Sequence, residues 1–220
     1  NRGSFITMNI AVTAPLDRKR WLAALQSGEE ALDSLQAQMD LAEEQLLKAA
    51  DPKAVYRIMN KADIKREGVS IEKHLAECEK VAVMGATLGM GVDDLIRRAQ
   101  IRDMSMAVIL DCGASLLIEE VCDTFQAQID AQTDGYLTAR FSPGYGDYPL
   151  EYQPLIIRYI DGPRKIGLNV TSNNLMVPRK SVTALIGISD HPVTGRLATC
   201  GECVLREKCT LRKEGKFCGD

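Results

Sequence analysis

The sequence has few of the residues on which acid–base and nucleophilic catalysis usually depend. Only two of its 220 residues are histidines, His74 and His191. His191 precedes a proline and is expected in a turn, whereas His74 is expected on the surface of a helix. No Ser/His/Asp or Cys/His arrangement suited to a nucleophile and its base can be recognised. The sequence therefore does not favour a hydrolase of that kind.

The sequence also lacks an excess of positive charge and a long apolar run. Its net charge is −3 and no long basic segment occurs, so nucleic acid is not expected as a partner. No segment approaches the ~20 apolar residues that span a membrane, and no membrane contact is expected. The first twenty residues do not have the pattern of a signal peptide. These features predict a cytoplasmic protein, with its cysteines reduced.

Apolar periodicity predicts helices in the first two thirds of the chain. A seven-residue repeat of leucines predicts one long helix over 17–50, which ends before Pro52. A packing helix is the simpler interpretation, and a helix that docks a partner is the alternative. Shorter helices are expected over 53–60 and, with Ser70 as its N-terminal cap, as far as about Cys78. A long apolar helix is expected over 92–132, with a bend near Gly113.

Short apolar segments bounded by glycine or polar residues predict the strands. They are VAVMGATLG at 81–89, YLTARF at 136–141, IGLNVTS at 166–172 and SVTALIGIS at 181–189, with one helix at 150–160. This order predicts an α+β fold in which helices pack on a twisted, largely antiparallel sheet. Three parts are expected: an N-terminal helical segment (1–51), an α+β body (52–199) and a cysteine-rich tail (200–220).

The segment RFSPGYGDYP, residues 140–149, combines an arginine with a glycine-rich turn. Pro143, Gly144 and Gly146 favour a tight, irregular backbone that a ligand can approach closely. The guanidinium of Arg140 can bind a carboxylate or phosphate through two hydrogen bonds. The local pattern indicates a site for a small molecule bearing a carboxylate. An ordinary turn with a surface arginine is the alternative.

Together with residues 167–192, this turn resembles the activation (reactivation) domain of cobalamin-dependent methionine synthase. Arg140, Gly144 and Tyr145 match the family's Arg-x-x-x-Gly-Tyr-Pro turn, and a second motif follows a few tens of residues later. The residues that match the second motif are Thr171, Met176, Pro178, Ser181, Val182, His191 and Pro192. Two departures are Gly146, where the family has proline, and Asn173, where it has serine. The chain is too short to hold the other modules of that enzyme, so a free-standing activation subunit is expected.

The resemblance implies a function in methyl transfer. In that family the domain binds S-adenosylmethionine and supports reductive methylation of cobalamin (vitamin B12), which restores the enzyme of methionine biosynthesis. Arg140 would bind the carboxylate of S-adenosylmethionine, and the backbone around Ser142, Gly144 and Tyr145 would hold the rest of the ligand. Glu119 is the acidic residue expected to complete the site. The implied partners are a corrinoid-binding protein and an electron donor such as flavodoxin or ferredoxin.

The last 21 residues contain four of the seven cysteines. Cys200, Cys203, Cys209 and Cys218 have the spacing C-x2-C-x5-C-x8-C, which predicts either a [4Fe–4S] cluster or a zinc site. A disulfide pair or inert thiols are the alternatives. Basic neighbours and a reaction that consumes electrons favour the iron–sulfur cluster. The other three cysteines, Cys78, Cys112 and Cys122, lie in apolar contexts and are expected in the core.

Two functions of different classes remain open at this stage. The first is a methyltransferase-type activation subunit that acts on cobalamin carried by a partner. The second is a non-catalytic adaptor or S-adenosylmethionine sensor that docks a corrinoid protein through a structural zinc tail. The metal of the tail distinguishes the two.

Overall fold

The structure is a computed structural model that describes residues 4–12 and 15–193. Seven strands and seven α-helices occur in these ranges, numbered here in chain order. The strands are β1 (Phe5–Asn9), β2 (Lys53–Asn60), β3 (Lys80–Thr87), β4 (Tyr136–Leu137), β5 (Asn169–Val170), β6 (Met176–Val177) and β7 (Ser181–Ser189). The helices are α1 (Arg18–Ala24), α2 (Leu32–Ala49), α3 (Val69–His74), α4 (Met90–Arg102), α5 (Met104–Ala131), α6 (Gln153–Tyr159) and α7 (Gly162–Ile166).

Five strands form one antiparallel sheet in the order β1-β2-β3-β7-β4. The central strand β3 pairs along its whole length with β2 on one side and β7 on the other. A separate hairpin of β5 and β6 lies next in sequence to β7. None of the helices of the described residues is both long enough and apolar enough to cross a lipid bilayer.

Helices cover both faces of this sheet, which explains why β3 is apolar almost throughout. Ala82, Met84 and Ala86 point into a core shared with α1, α2, α4 and α5. Val81 and Val83 point into a second core formed with α3, α6 and α7. Because successive side chains of a strand alternate between faces, a strand buried on both sides needs apolar residues at nearly every position. The predicted α+β fold, with helices packed on an antiparallel sheet, is confirmed.

The N-terminal residues belong to the larger of these two cores. The strand β1 pairs with β2, and the side chains of Trp21, Met39 and Leu46 pack with Met84 and Ile186 of the sheet. The predicted single helix over 17–50 is wrong. It is divided into α1 and α2 by a turn in which Gln26 has a φ of 57°. The segment therefore packs within the body of the described chain.

The helix predicted over 53–60 is wrong, because these residues form β2. Ala54 and Tyr56 face the larger core, whereas Val55 and Met59 face the smaller one. This two-residue alternation of β-branched and aromatic side chains is typical of a strand. With only eight residues, periodicity alone did not separate a buried strand from a short helix.

The long helical region is interrupted, but not at the predicted position. The break between α4 and α5 falls at Asp103, whose extended backbone begins α5 and whose carboxylate accepts the amide hydrogen of Met106. The helix α5 then continues through Gly113. A Cβ atom there would overlap the indole of Trp21, so this glycine allows close packing of α1 on α5 rather than a bend.

The two longest predicted strands, 81–89 and 181–189, are confirmed as β3 and β7. The other two are shorter than predicted, because only Tyr136–Leu137 and Asn169–Val170 pair as strands. The predicted cap at Ser70 is also wrong. The helix α3 begins one residue earlier, and its first amides are bound by a residue from a distant turn described below.

The two histidines have different environments. His74 is buried rather than on the surface as predicted. Its Nε2 lies 2.8 Å from the carbonyl oxygen of Ala139 and its ring contacts Phe141. His191 follows β7, as expected for a turn residue, and its two ring nitrogens lie 2.8 Å from Glu77 and 2.7 Å from Asp190. These hydrogen bonds, first with Glu77 and then with Asp190, raise the pKa of His191 above its usual value.

The contacts of His191 predict a pH-dependent contribution to stability. Because the pKa is raised on folding, the contribution is complete below the unfolded pKa of ~6.5 and is lost as the pH rises through the folded value. We expect His191→Ala to lower the unfolding temperature more at pH 6 than at pH 9. Thermal unfolding of both proteins at the two pH values measures this difference. Glu77→Gln should reduce it, and an equal loss at both pH values would contradict the assignment.

Candidate functional site

A cleft of about 670 Å³ lies where the glycine-rich turn meets the chain around β6 and the start of β7. Its volume is in the range typical of small-molecule sites. The residues that line it are Glu119, Ser142, Pro143, Tyr145, Leu150, Gln153, Thr171, Asn174, Leu175, Met176, Val177, Arg179, Ser181, Val182 and Thr183. Tyr145 of the first sequence motif and four residues of the second therefore line a single cleft: Thr171, Met176, Ser181 and Val182.

The turn is fixed to the sheet by an aromatic residue at each end. The backbone N–H and C=O of Phe141 exchange hydrogen bonds of 2.9 and 2.8 Å with Leu185 of β7. Tyr148 is buried and its ring packs beside Phe141. Between them the amide of Gly144 donates to the carbonyl oxygen of Tyr148, and Gly144 has a φ of 93°. Tyr145 at the tip is 60% exposed.

The turn is also joined to α3 through Asp147. Its carboxylate accepts the backbone amide hydrogens of Ser70 at 2.9 Å and Val69 at 2.6 Å. These two hydrogen bonds lower the pKa of Asp147 below its usual value. Asp147 thus performs the capping role that the sequence assigned to Ser70.

Gly146 is required by this attachment. It has a φ of 53°, and a Cβ atom there would lie 2.7 Å from the hydroxyl oxygen of Ser70. Proline, which the related motif has at this place, is restricted to a φ near −65° and does not fit. The departure from the family pattern therefore has a local physical cause.

The second wall of the cleft is the hairpin of β5 and β6. The amide of Thr171 donates to the carbonyl oxygen of Leu175 at 2.8 Å, and Asn174 adopts a φ of 61° at the tip. Leu175 is 62% exposed beside the cleft. At the base, the hydroxyl oxygen of Ser181 lies 2.8 Å from the hydroxyl oxygen of Thr87 and 2.7 Å from the carbonyl oxygen of Pro178, so it can donate a hydrogen bond to either. Hydrogen bonds thus hold the backbone of the hairpin and the side chain of Ser181.

Arg140 lies beside the cleft and is held by the helix α5. Its Nη2 donates to Asp123 at 2.7 Å and to Glu119 at 3.1 Å, and its Nη1 donates to Gln126 at 3.0 Å. Burial acts to lower the pKa of Arg140, but the hydrogen bond to Asp123 and the neighbouring negative charges raise it above its usual value. The sequence anticipated a guanidinium available to a ligand, whereas here it is engaged in two ion pairs.

The structure thus brings the predicted site residues together in two groups. Glu119, Ser142 and Tyr145 line the cleft, and Gly144 lies within its turn. Arg140 lines an adjacent space of about 420 Å³ and forms an ion pair with Glu119, which lines the cleft.

Sequence reasoning missed several residues at the site. Gln153, Asn174 and Arg179 line the cleft, and Asp123 and Gln126 bind Arg140. Asp123 could have been found, because it follows Glu119 by four residues and shares its helix face.

The predicted metal ligands Cys200, Cys203, Cys209 and Cys218 lie outside the described residues. Within the described ranges, no group of three or more His, Cys, Asp or Glu side chains is suited to hold a metal ion. Cys78 and Cys122 are buried as predicted, whereas Cys112 is half-buried. Burial raises the pKa of Cys122 to about 12, so this thiol is unreactive.

Comparison with known proteins identifies the fold. No protein-family model matches the chain, and no curated protein has significant sequence similarity to it. A crystal structure of the MetH reactivation domain bound to AdoHcy has a similar fold, with a TM-score of 0.64 and 13% sequence identity. The match covers 98% of this chain and 87% of that chain. The activation-domain fold expected from the two motifs is confirmed.

Replacing Gly146 with alanine is expected to destabilise the protein by about 2 kcal/mol or more. The left-handed conformation alone costs alanine ~1 kcal/mol, and the contact with Ser70 adds a steric cost. Gly167→Ala is the matched control, since Gly167 has a φ of 70° and no atom within 4 Å of the added Cβ. Denaturant unfolding should show a smaller loss for Gly167→Ala than for Gly146→Ala. A loss no larger at Gly146 than at Gly167 would argue against the contact with Ser70.

Proposed function

We propose that the cleft binds S-adenosylmethionine and that the protein supports reductive methylation of cobalamin held by a corrinoid-binding partner. One observation carries the proposal: residues of two sequence motifs that lie about 30 residues apart in the chain line the same cleft. The fold is that of a reactivation domain whose crystal structure contains AdoHcy, the product of methyl transfer from S-adenosylmethionine. This combination favours a methyltransferase-type activity that is exercised together with a partner.

The amino-acid part of the ligand would lie against Glu119 and Arg140. Glu119 would accept hydrogen bonds from the ligand's ammonium group, and Arg140, whose Nη2 lies 3.1 Å from Glu119, would bind the carboxylate. A carboxylate beside a guanidinium suits a zwitterionic ligand, because each charge of the ligand exchanges water for an oppositely charged side chain.

The nucleoside part would lie along the glycine-rich turn. The absence of a side chain at Gly144 lets a ligand approach the backbone groups of Ser142 and Tyr145. The exposed ring of Tyr145 offers a flat surface for stacking. Asn174 and Thr171 supply polar groups on the opposite wall.

Methyl transfer would break the bond between the sulfonium and its methyl carbon and form a bond from that carbon to cobalt. It follows one-electron reduction of Co(II) by a donor such as flavodoxin or ferredoxin, and AdoHcy is released. No proton moves in this step, so the chain needs no acid–base pair. Its role is to orient the methyl group and to exclude water and other nucleophiles.

The partner is expected to cover the mouth of the cleft. Three large apolar side chains at this mouth are exposed: Tyr145, Leu150 and Leu175. Apolar side chains around a cleft are typical of a surface that docks another molecule. A corrinoid-binding protein seated there would bring the corrin face to the methyl group.

The proposal is tested by measuring S-adenosylmethionine binding with calorimetry. We expect wild type to bind and Arg140→Ala to bind at least about tenfold more weakly, because the lost hydrogen bonds to a carboxylate are charge-assisted. Arg140→Lys, which keeps the charge but not the two-bond geometry, should also weaken binding.

Arg164→Ala is the control for the loss of one positive charge. Arg164 is exposed on α7 and contacts only Asp161 among the described ion pairs. The affinity of Arg164→Ala for S-adenosylmethionine should equal that of wild type. Absence of binding by wild type would refute the proposed function, and normal binding by Arg140→Ala would refute the role given to Arg140.

The cysteine-rich tail, residues 200–220, is proposed to bind a metal and to decide between catalysis and docking. Four thiolates at this spacing can hold a [4Fe–4S] cluster that relays electrons, or a structural zinc ion. We expect anaerobically prepared protein to be brown, with reversible bleaching by dithionite and about four irons per chain. Colourless protein with one zinc would instead favour the non-catalytic adaptor or sensor. Replacing Cys203 and Cys209 with serine should remove the metal in either case.

A further inference from the structure

Both hydrogens of the Nη2 nitrogen of Arg140 are already used, and this nitrogen is needed for a two-bond contact with a carboxylate. Nη2 carries two hydrogens, and it donates to both Glu119 and Asp123. Each of the two edges of a guanidinium that can bind a carboxylate with a pair of hydrogen bonds includes one hydrogen of Nη2. In this arrangement neither edge is available, although Nε and one hydrogen of Nη1 remain.

A ligand carboxylate can therefore form two bonds to Arg140 only after one of these acids releases it. Glu119 lines the cleft and is placed to contact the ligand itself. The side chain of Asp123 is 61% exposed and lines the adjacent space, outside the cleft. Exposed carboxylates exchange an ion pair for water at little cost, and the side chain of Glu119 is also 47% exposed. Because Glu119 is assigned to the ligand's ammonium group, Asp123 is the acid that the carboxylate would displace.

We propose that Asp123 competes with the ligand's carboxylate for Arg140 and thereby lowers the affinity of the cleft for ligands that carry one. The inference rests on the proposed function and extends it. Asp123 keeps the guanidinium oriented while the cleft is empty. A ligand with a carboxylate replaces Asp123, whereas a ligand without one leaves the ion pair intact and gains nothing from Arg140. The competition thus weakens binding of ligands that carry a carboxylate and leaves ligands without one unaffected.

The test compares two ligands on two matched variants by calorimetry. Asp123→Asn is expected to bind S-adenosylmethionine roughly 1.5-fold to fivefold more tightly than wild type, the range for an exposed ion pair. Decarboxylated S-adenosylmethionine, which is more positively charged, should bind Asp123→Asn no more tightly than wild type. For S-adenosylmethionine, a purely electrostatic role of Asp123 predicts weaker binding to Asp123→Asn instead, because removing a negative charge weakens binding of a cation.

Asp130→Asn is the control, because it makes the same charge change in the same space. Asp130 lines that space but is not among the ion-pair partners that the described residues give Arg140. It should not tighten S-adenosylmethionine binding. Unchanged or weaker binding by Asp123→Asn, or equal tightening by Asp130→Asn, would overturn the role of Asp123. If wild type binds neither ligand, the proposed function itself fails, which is a distinct result.

Discussion

The antiparallel pairing around β7 is the constraint on which the cleft depends. This strand is bonded along its length to β3, and on its other side Leu185 exchanges two backbone hydrogen bonds with Phe141. The first residues of β7 form the base of the cleft, and Phe141 begins the glycine-rich turn. A shift of one residue in this register would turn every side chain of β7 to the opposite face and separate the turn from the base. The geometry of the site is therefore a consequence of strand register.

The site combines a turn held by hydrogen bonds with a polar cluster in which one cation is shared between two acids. Asp147 binds the turn to the start of α3, and Gly146 permits the close approach that this requires. By contrast, Arg140 has two carboxylates within hydrogen-bonding distance and a neutral amide at Gln126. A cation shared between two acids is well placed for exchange of partners, since one acid retains the positive charge while the other is released.

Glycines inside a helix and a strand of this fold permit close packing and do not bend the element. Gly113 lies inside α5 without interrupting it, and its missing side chain is replaced by the indole of Trp21. The helical region is instead interrupted at Asp103, which caps the start of α5. Likewise, Gly85 in the centre of β3 leaves room for Ile160 of the smaller core. In both cases glycine is explained by packing between elements, and periodicity within one element does not contain that information.

The sequence by itself determined the fold class, the two central strands and the two motifs, because these depend on local composition and on short spacings. It did not determine that 53–60 is a strand, since eight apolar and polar residues fit both periods until a neighbouring strand supplies hydrogen bonds. It also predicted Arg140 and Glu119 as residues of one site, without their ion pair and without Asp123. Only the tertiary structure set Asp123 and Glu119 against that guanidinium and joined the two motifs in one cleft. Contacts between distant segments depend on how helices and strands pack, and that information is spread over the whole core.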